Sequence, residues 1–119
     1  MLTLNSVMIG TKQTKALVAF YEGVLGKPPD MADAGHGFYG WQLGAMYFSI
    51  LEHSEMGGKT KDPGRLMLNF ETPDVPQEFE RVKGLGATVI KEPYAMGGGM
   101  VSTLADPDGN YFQLMSPWK

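Results

Sequence analysis

Cysteine is absent from the 119 residues, which excludes disulfide staples, a thiolate nucleophile and zinc–thiolate coordination. Histidine occurs only twice, at His36 and His53, so one chain cannot assemble a three-histidine metal site. Positive charge is scarce: ten Lys and Arg stand against thirteen Asp and Glu, a net −3. The cations form no run or stripe, so no nucleic-acid partner is expected. No apolar stretch approaches the length of a membrane span, and no basic segment leads into an apolar run at the start. No membrane partner and a cytoplasmic location are the expectation. Hydrophobic residues make up 43%, which argues for a folded chain. A chain this long buries about two-thirds of its unfolded surface as one domain.

What is present is a duplication. Tyr47-Phe48-Ser49-Ile50-Leu51 lies over Tyr111-Phe112-Gln113-Leu114-Met115, and each half has an opening strand and one amphipathic helix ending at glycine. The openings, near Ser6 and Met67, are 61 residues apart, and the closing strands, at Ser49 and Gln113, are 64 apart. A unit of about 60 residues cannot bury both faces of its sheet alone, so two copies are expected to pack together. The modules run over about 1–56 and 64–119, with a polar, glycine-bearing linker at about 57–63. Both belong to a single domain, 1–119.

Residues 2–9 alternate and predict a strand. A helix follows over 14–25, with Leu17, Phe20, Tyr21, Val24 and Leu25 on one stripe. Gly26 stops it and Pro28-Pro29 prevents its resumption. After a loop over 30–37, strands are predicted at 38–43 and 45–52, joined through Gly44. In the second half a strand at 65–71 leads to Asp74, a helix cap with Gln77 as its capping-box partner. Val75, Phe79 and Val82 form that helix's stripe, and Gly84 and Gly86 end it. Strands at 87–90, 100–104 and 110–115 complete the half. Asp106-Pro107-Asp108-Gly109 suits a type I turn. Gly97-Gly98-Gly99 reads as a flexible loop tip. No Lys-Ser/Thr pair and no helix follows it, so it does not read as a phosphate cradle.

Strand alternation assigns faces. Leu66, Leu68 and Phe70 point to the helix side, and Met67, Asn69 and Glu71 to the other. Phe112 and Leu114 point inward, leaving Tyr111, Gln113 and Met115 on the opposite face. Glu52-His53-Ser54-Glu55 reads as a solvated loop run, with a general-base histidine as the sharper alternative. Arg65 either pairs with Asp62 or Glu71 or clamps an anionic ligand. Asn69 is an amide that needs a bonding partner if it is buried. Phe38, Tyr39, Trp41, Tyr47, Tyr111 and Trp118 are either packing or a stacking wall. Nine Met residues could add a deformable lining to such a wall.

Ala19-Phe20-Tyr21-Glu22-Gly23-Val24-Leu25-Gly26 and Asp106-Pro107-Asp108-Gly109-Asn110-Tyr111-Phe112-Gln113-Leu114 resemble the vicinal-oxygen-chelate superfamily of glyoxalases, bleomycin-resistance proteins and extradiol dioxygenases. The likeness covers nearly the whole chain. It implies an α+β fold of two βαβββ modules forming a U-shaped cleft, often completed by dimerisation, so a homodimer is expected. Metal-dependent members place one ligand on the opening strand and one on the closing strand of each half, usually His and Glu. Carried onto this chain, those positions fall at Ser6, Ser49, Met67 and Gln113. Two hydroxyls, a thioether and an amide do not hold a divalent ion against water.

The resemblance then points to the metal-free, drug-sequestering members. The expected function is binding of a small aromatic or amphipathic molecule in the cleft, with no cofactor, no metal and no catalytic residue. The expected ligand contacts are Trp41, Tyr47, Ser49, Met67, Asn69, Tyr111 and Gln113. The alternative is a lyase, isomerase or dioxygenase-like enzyme of the superfamily with atypical ligands. A third reading is a dimerising interaction module with an empty cleft.

Overall fold

A computed structural model of the chain describes residues 1–117; Trp118 lies outside them. The chain divides into two compact units, Met1–Gly58 and Lys59–Lys119. In the first, β1 (Ser6–Thr11) and α1 (Thr14–Leu25) precede β2 (Met31–Asp33), β3 (Phe38–Leu43) and β4 (Met46–Glu52). In the second, β5 (Leu68–Glu71) and α2 (Val75–Gly84) precede β6 (Thr88–Met96), β7 (Gly99–Ala105) and β8 (Tyr111–Met115). The sheet orders are β1-β4-β3-β2 and β5-β8-β7-β6. Each opening strand runs parallel to the closing strand of its own unit, and every other pairing is antiparallel. Both units are therefore βαβββ modules with one topology.

The helix stripes determine which face of each sheet becomes core. Leu17, Phe20, Tyr21 and Val24 are buried with Trp41, Phe48 and Ile50. The Tyr21 ring meets Phe48 edge-on at 5.0 Å, and Trp41 stacks on Phe48 at 5.6 Å. In the second module Val75, Phe79 and Val82 are buried with Leu104, Phe112 and Leu114. Each large apolar side chain so buried contributes about 1.5–3 kcal/mol. Asp74 caps α2 as the spacing predicts, accepting from the Gln77 N–H at 3.1 Å.

Several boundaries depart from the sequence expectation. β1 starts at Ser6, and Leu2 and Leu4 ahead of it are exposed. β5 starts at Leu68, so Leu66 is not on its inner face but 87% exposed. The short strand β2 pairs with β3 where a loop was expected. β6 continues to Met96, through Pro93, with register shifts after Val89 and Lys91. A proline there is tolerated because β6 is the edge strand of its sheet. The glycine triplet, expected as a flexible loop tip, forms a tight hairpin turn. Met96 pairs with Gly99 across a two-residue turn whose residues, Gly97 and Gly98, both have positive φ, at 56° and 82°. That is the type I′ geometry that matches strand twist.

The Asp-Pro-Asp-Gly turn forms as expected, with the Gly109 N–H donating to the Asp106 carbonyl at 2.8 Å. The buried Asp106 carboxylate also accepts from the N–H groups of Asp108 and Asn110 and from the Asn110 amide. Its role is to brace the entry to β8. Asp30 does similar work in the first module. Its carboxylate accepts the Gln42 N–H at 2.6 Å, which holds its pKa below the usual aspartate value, with Lys27 adding to the effect.

Candidate functional site

Parallel ladder partners sit side by side on one face. In the first module Val7 pairs with Phe48 and Ile9 with Ile50, on the side of α1. The intervening pairs, Ser6 with Tyr47 and Met8 with Ser49, occupy the face that carries no helix. Gly40 and Gln42 of β3 join that face beside Ser49 and Tyr47. The Tyr47 ring does not stand up from the sheet: it lies over Gly40, where any Cβ would collide with it. Glycine at that position is what lets the ring lie down. Ser49 is 3% exposed and Met8 56%.

In the second module Asn69 pairs with Gln113 and Glu71 with Met115. Across β8, Ala105 pairs with Tyr111, Thr103 with Gln113 and Val101 with Met115. The result is a neutral polar row across the helix-free face, Asn69–Gln113–Thr103. The Gln113 Nε2 donates to the Thr103 Oγ1 at 3.0 Å. Tyr111 donates its N–H to the Pro63 carbonyl at 3.4 Å and packs its ring beside Gly64. Lys91, paired with Thr103, holds its ammonium 4.5 Å from the centre of the Tyr94 ring.

Of the residues expected in the site, Tyr47 and Ser49 share one such face, and Asn69, Tyr111 and Gln113 share the other. Trp41 does not join them. Its ladder partner is Phe48, it is fully buried on the helix side, and its indole N–H donates to the Lys27 carbonyl at 3.0 Å. Trp41 is a core residue, because β3 alternates in the opposite phase from the one a wall at this position needs. Met67 stands one residue ahead of β5 without a ladder partner, 39% exposed. The positions directly beside Ser49 and Gln113 are Met8 and Asn69, two residues beyond Ser6 and Met67. Sequence reasoning missed Met8, Gly40 and Thr103. Thr103 follows from alternation once the β7–β8 register is known; nothing in the sequence singles out the contact at Gly40.

The four ladder positions therefore carry a thioether, a hydroxyl and two amides. Among the described residues no three His, Asp or Glu side chains gather into a potential ion site. Neither the thioether–hydroxyl pair of the first module nor the amide pair of the second fits a divalent ion. The histidines lie elsewhere: His53 Nδ1 accepts the Glu55 N–H at 3.2 Å in an exposed turn, and His36 pairs with Asp33 at the surface. Arg65 faces Asp62 at 3.5 Å, also at the surface. No helix among the described residues is long and apolar enough to cross a membrane.

Two βαβββ modules of this topology define an α+β protein of the glyoxalase/bleomycin-resistance fold. The chain belongs to the glyoxalase-like domain family, whose profile matches residues 6–115. No curated protein sequence matches it. Among solved structures it is similar to a glyoxalase-related enzyme from Fulvimarina pelagi, at 18% identity and a TM-score of 0.81, over 98% of this chain and 89% of that one. It is also similar to a glyoxalase/bleomycin resistance protein/dioxygenase family enzyme from Burkholderia phytofirmans PsJN, at 25% identity and 0.75, over 97% and 98%. Lactoylglutathione lyase from Agrobacterium tumefaciens matches at 16% identity and 0.71, over 96% and 92%. These likenesses speak to the fold.

Proposed function

We propose that this family member binds a small aromatic or amphipathic molecule without a metal, on the helix-free faces of its sheets. The observation that carries the reading is the identity of the four ladder residues, Met8, Ser49, Asn69 and Gln113. All are neutral, so they offer hydrogen bonds and soft contact rather than charge for an ion. Tyr47 and Tyr111, two residues ahead of Ser49 and Gln113 on their strands, add an aromatic surface to each face. Apolar walls with a few placed polar groups are the usual composition of small-molecule sites.

The test is a titration with neutral polycyclic dyes, followed by dye fluorescence. The parent chain binds at least one with micromolar affinity, about −8 kcal/mol. Tyr47→Asp and Tyr111→Asp weaken that binding at least tenfold, a loss of about 1.4 kcal/mol or more, while melting temperatures stay close to the parent's. Dyes that bind with equal affinity to the parent and both variants would place the site elsewhere and overturn the reading.

A further inference from the structure

At the β6–β7 hairpin end of the second module is an open cavity of about 400 Å³, lined by Pro73, Met96, Met100, Val101, Met115 and Pro117 together with the glycines of the turn and Ser116. Its volume falls in the range of small-molecule pockets, roughly 300–1,000 Å³. Among the described residues no Lys, Arg, Asp, Glu or His lines it. The Ser116 hydroxyl is engaged by the Met100 backbone, accepting its N–H at 2.9 Å. A charged group seated against this lining would give up part of its hydration with no charged side chain among the described residues to replace it, which is unfavourable. Three unbranched thioether side chains adapt to ligands of differing outline. The lining thus selects for hydrocarbon and against charge.

Two of the lining residues belong to the helix-free face. Val101 and Met115 are ladder partners on that face, next to the Thr103–Gln113 pair. Along β8, Met115 stands two residues from Gln113, about 7 Å at the rise of a strand. A polar row and an apolar pocket are therefore separated by the length of a short ligand. We propose that the ligand of the second module is amphipathic and uncharged. Its hydrocarbon end fills the methionine-lined cavity, and a hydroxyl, amide or ketone group at about 7 Å meets Gln113 and Asn69. This proposal rests on the binding function argued above and narrows the class of ligand.

The probe is N-phenylnaphthylamine, a neutral fluorophore that brightens in apolar surroundings. It binds the parent chain, and Met96→Glu weakens binding at least tenfold, whereas Met96→Leu stays within about twofold, since Leu restores an apolar lining. Met96 is 59% exposed, so the charged variant is expected to fold. An independent reading comes from methyl-labelled methionine in the unmodified protein: the probe shifts the Met96, Met100 and Met115 resonances and leaves Met31 unmoved. A parent that binds no probe and no dye overturns the binding function itself. A parent that binds while Met96→Glu retains its affinity, or while those three methyl signals stay fixed, overturns the pocket alone.

Discussion

At the scale of single residues, the contact between Tyr47 and Gly40 decides the shape of the first module's helix-free face. A methyl group at position 40 would occupy space taken by the phenol ring, so Gly40→Ala forces the ring off the sheet. Overpacking of this kind costs about 1–3 kcal/mol. If the cost arises at the ring, it largely disappears when Tyr47 is already Ala. A double-mutant cycle by chemical denaturation is expected to give a coupling energy of about 1–3 kcal/mol between the two positions. Additive effects would mean that Tyr47 does not rest on Gly40. This contact was not legible in the sequence, because Phe-Tyr-Gly-Trp names a glycine in a strand without saying which side chain crosses it. Trp41 misled for a related reason. An aromatic strand residue is more often core than wall, and only its ladder partner, here Phe48, fixes the face.

At the scale of elements, the helices were legible and the strand ends were not. An apolar stripe with a glycine stop and a capping Asp74 is local information, and α1 and α2 follow it closely. Strand limits depend on partners far along the chain. β2 exists because β3 offers it a ladder, and β6 runs past Pro93 because no strand lies beyond it. The central role of the stripes can be measured. Phe20 and Phe79 are 7% and 3% exposed beneath their sheets, and truncating either to Ala is expected to cost about 3–5 kcal/mol by cavity formation. Unfolding in denaturant should show the lower midpoint for each variant. Midpoints equal to the parent's would mean the helices do not hold the sheets.

At the scale of the whole chain, the duplication carries more information than any motif. The 61-residue offset between opening strands is preserved in the ladders: Met8 stands beside Ser49 as Asn69 stands beside Gln113. The repeat was legible, but the ladder partners of Ser49 and Gln113 were not, because equivalent strands can be aligned without knowing which residue faces its neighbour. Those partners do not change the chemistry, since Met8 and Asn69 are no better ligands for a divalent ion than Ser6 and Met67. The consequence applies to the chain as a whole. After dialysis it is expected to retain well under one equivalent of zinc, nickel, iron or manganese by elemental analysis. Adding each ion should move the melting temperature by less than a degree. An ion held at 100 times its dissociation constant would stabilise the fold by about 2.7 kcal/mol, and at roughly 4 °C or more per kcal/mol for a domain near this size that shift could not be missed. A dialysis-resistant ion near one per chain, with a shift of that order, would show that side chains other than the four ladder residues supply the ligands, and would return the chain to the metal-dependent chemistry of its superfamily.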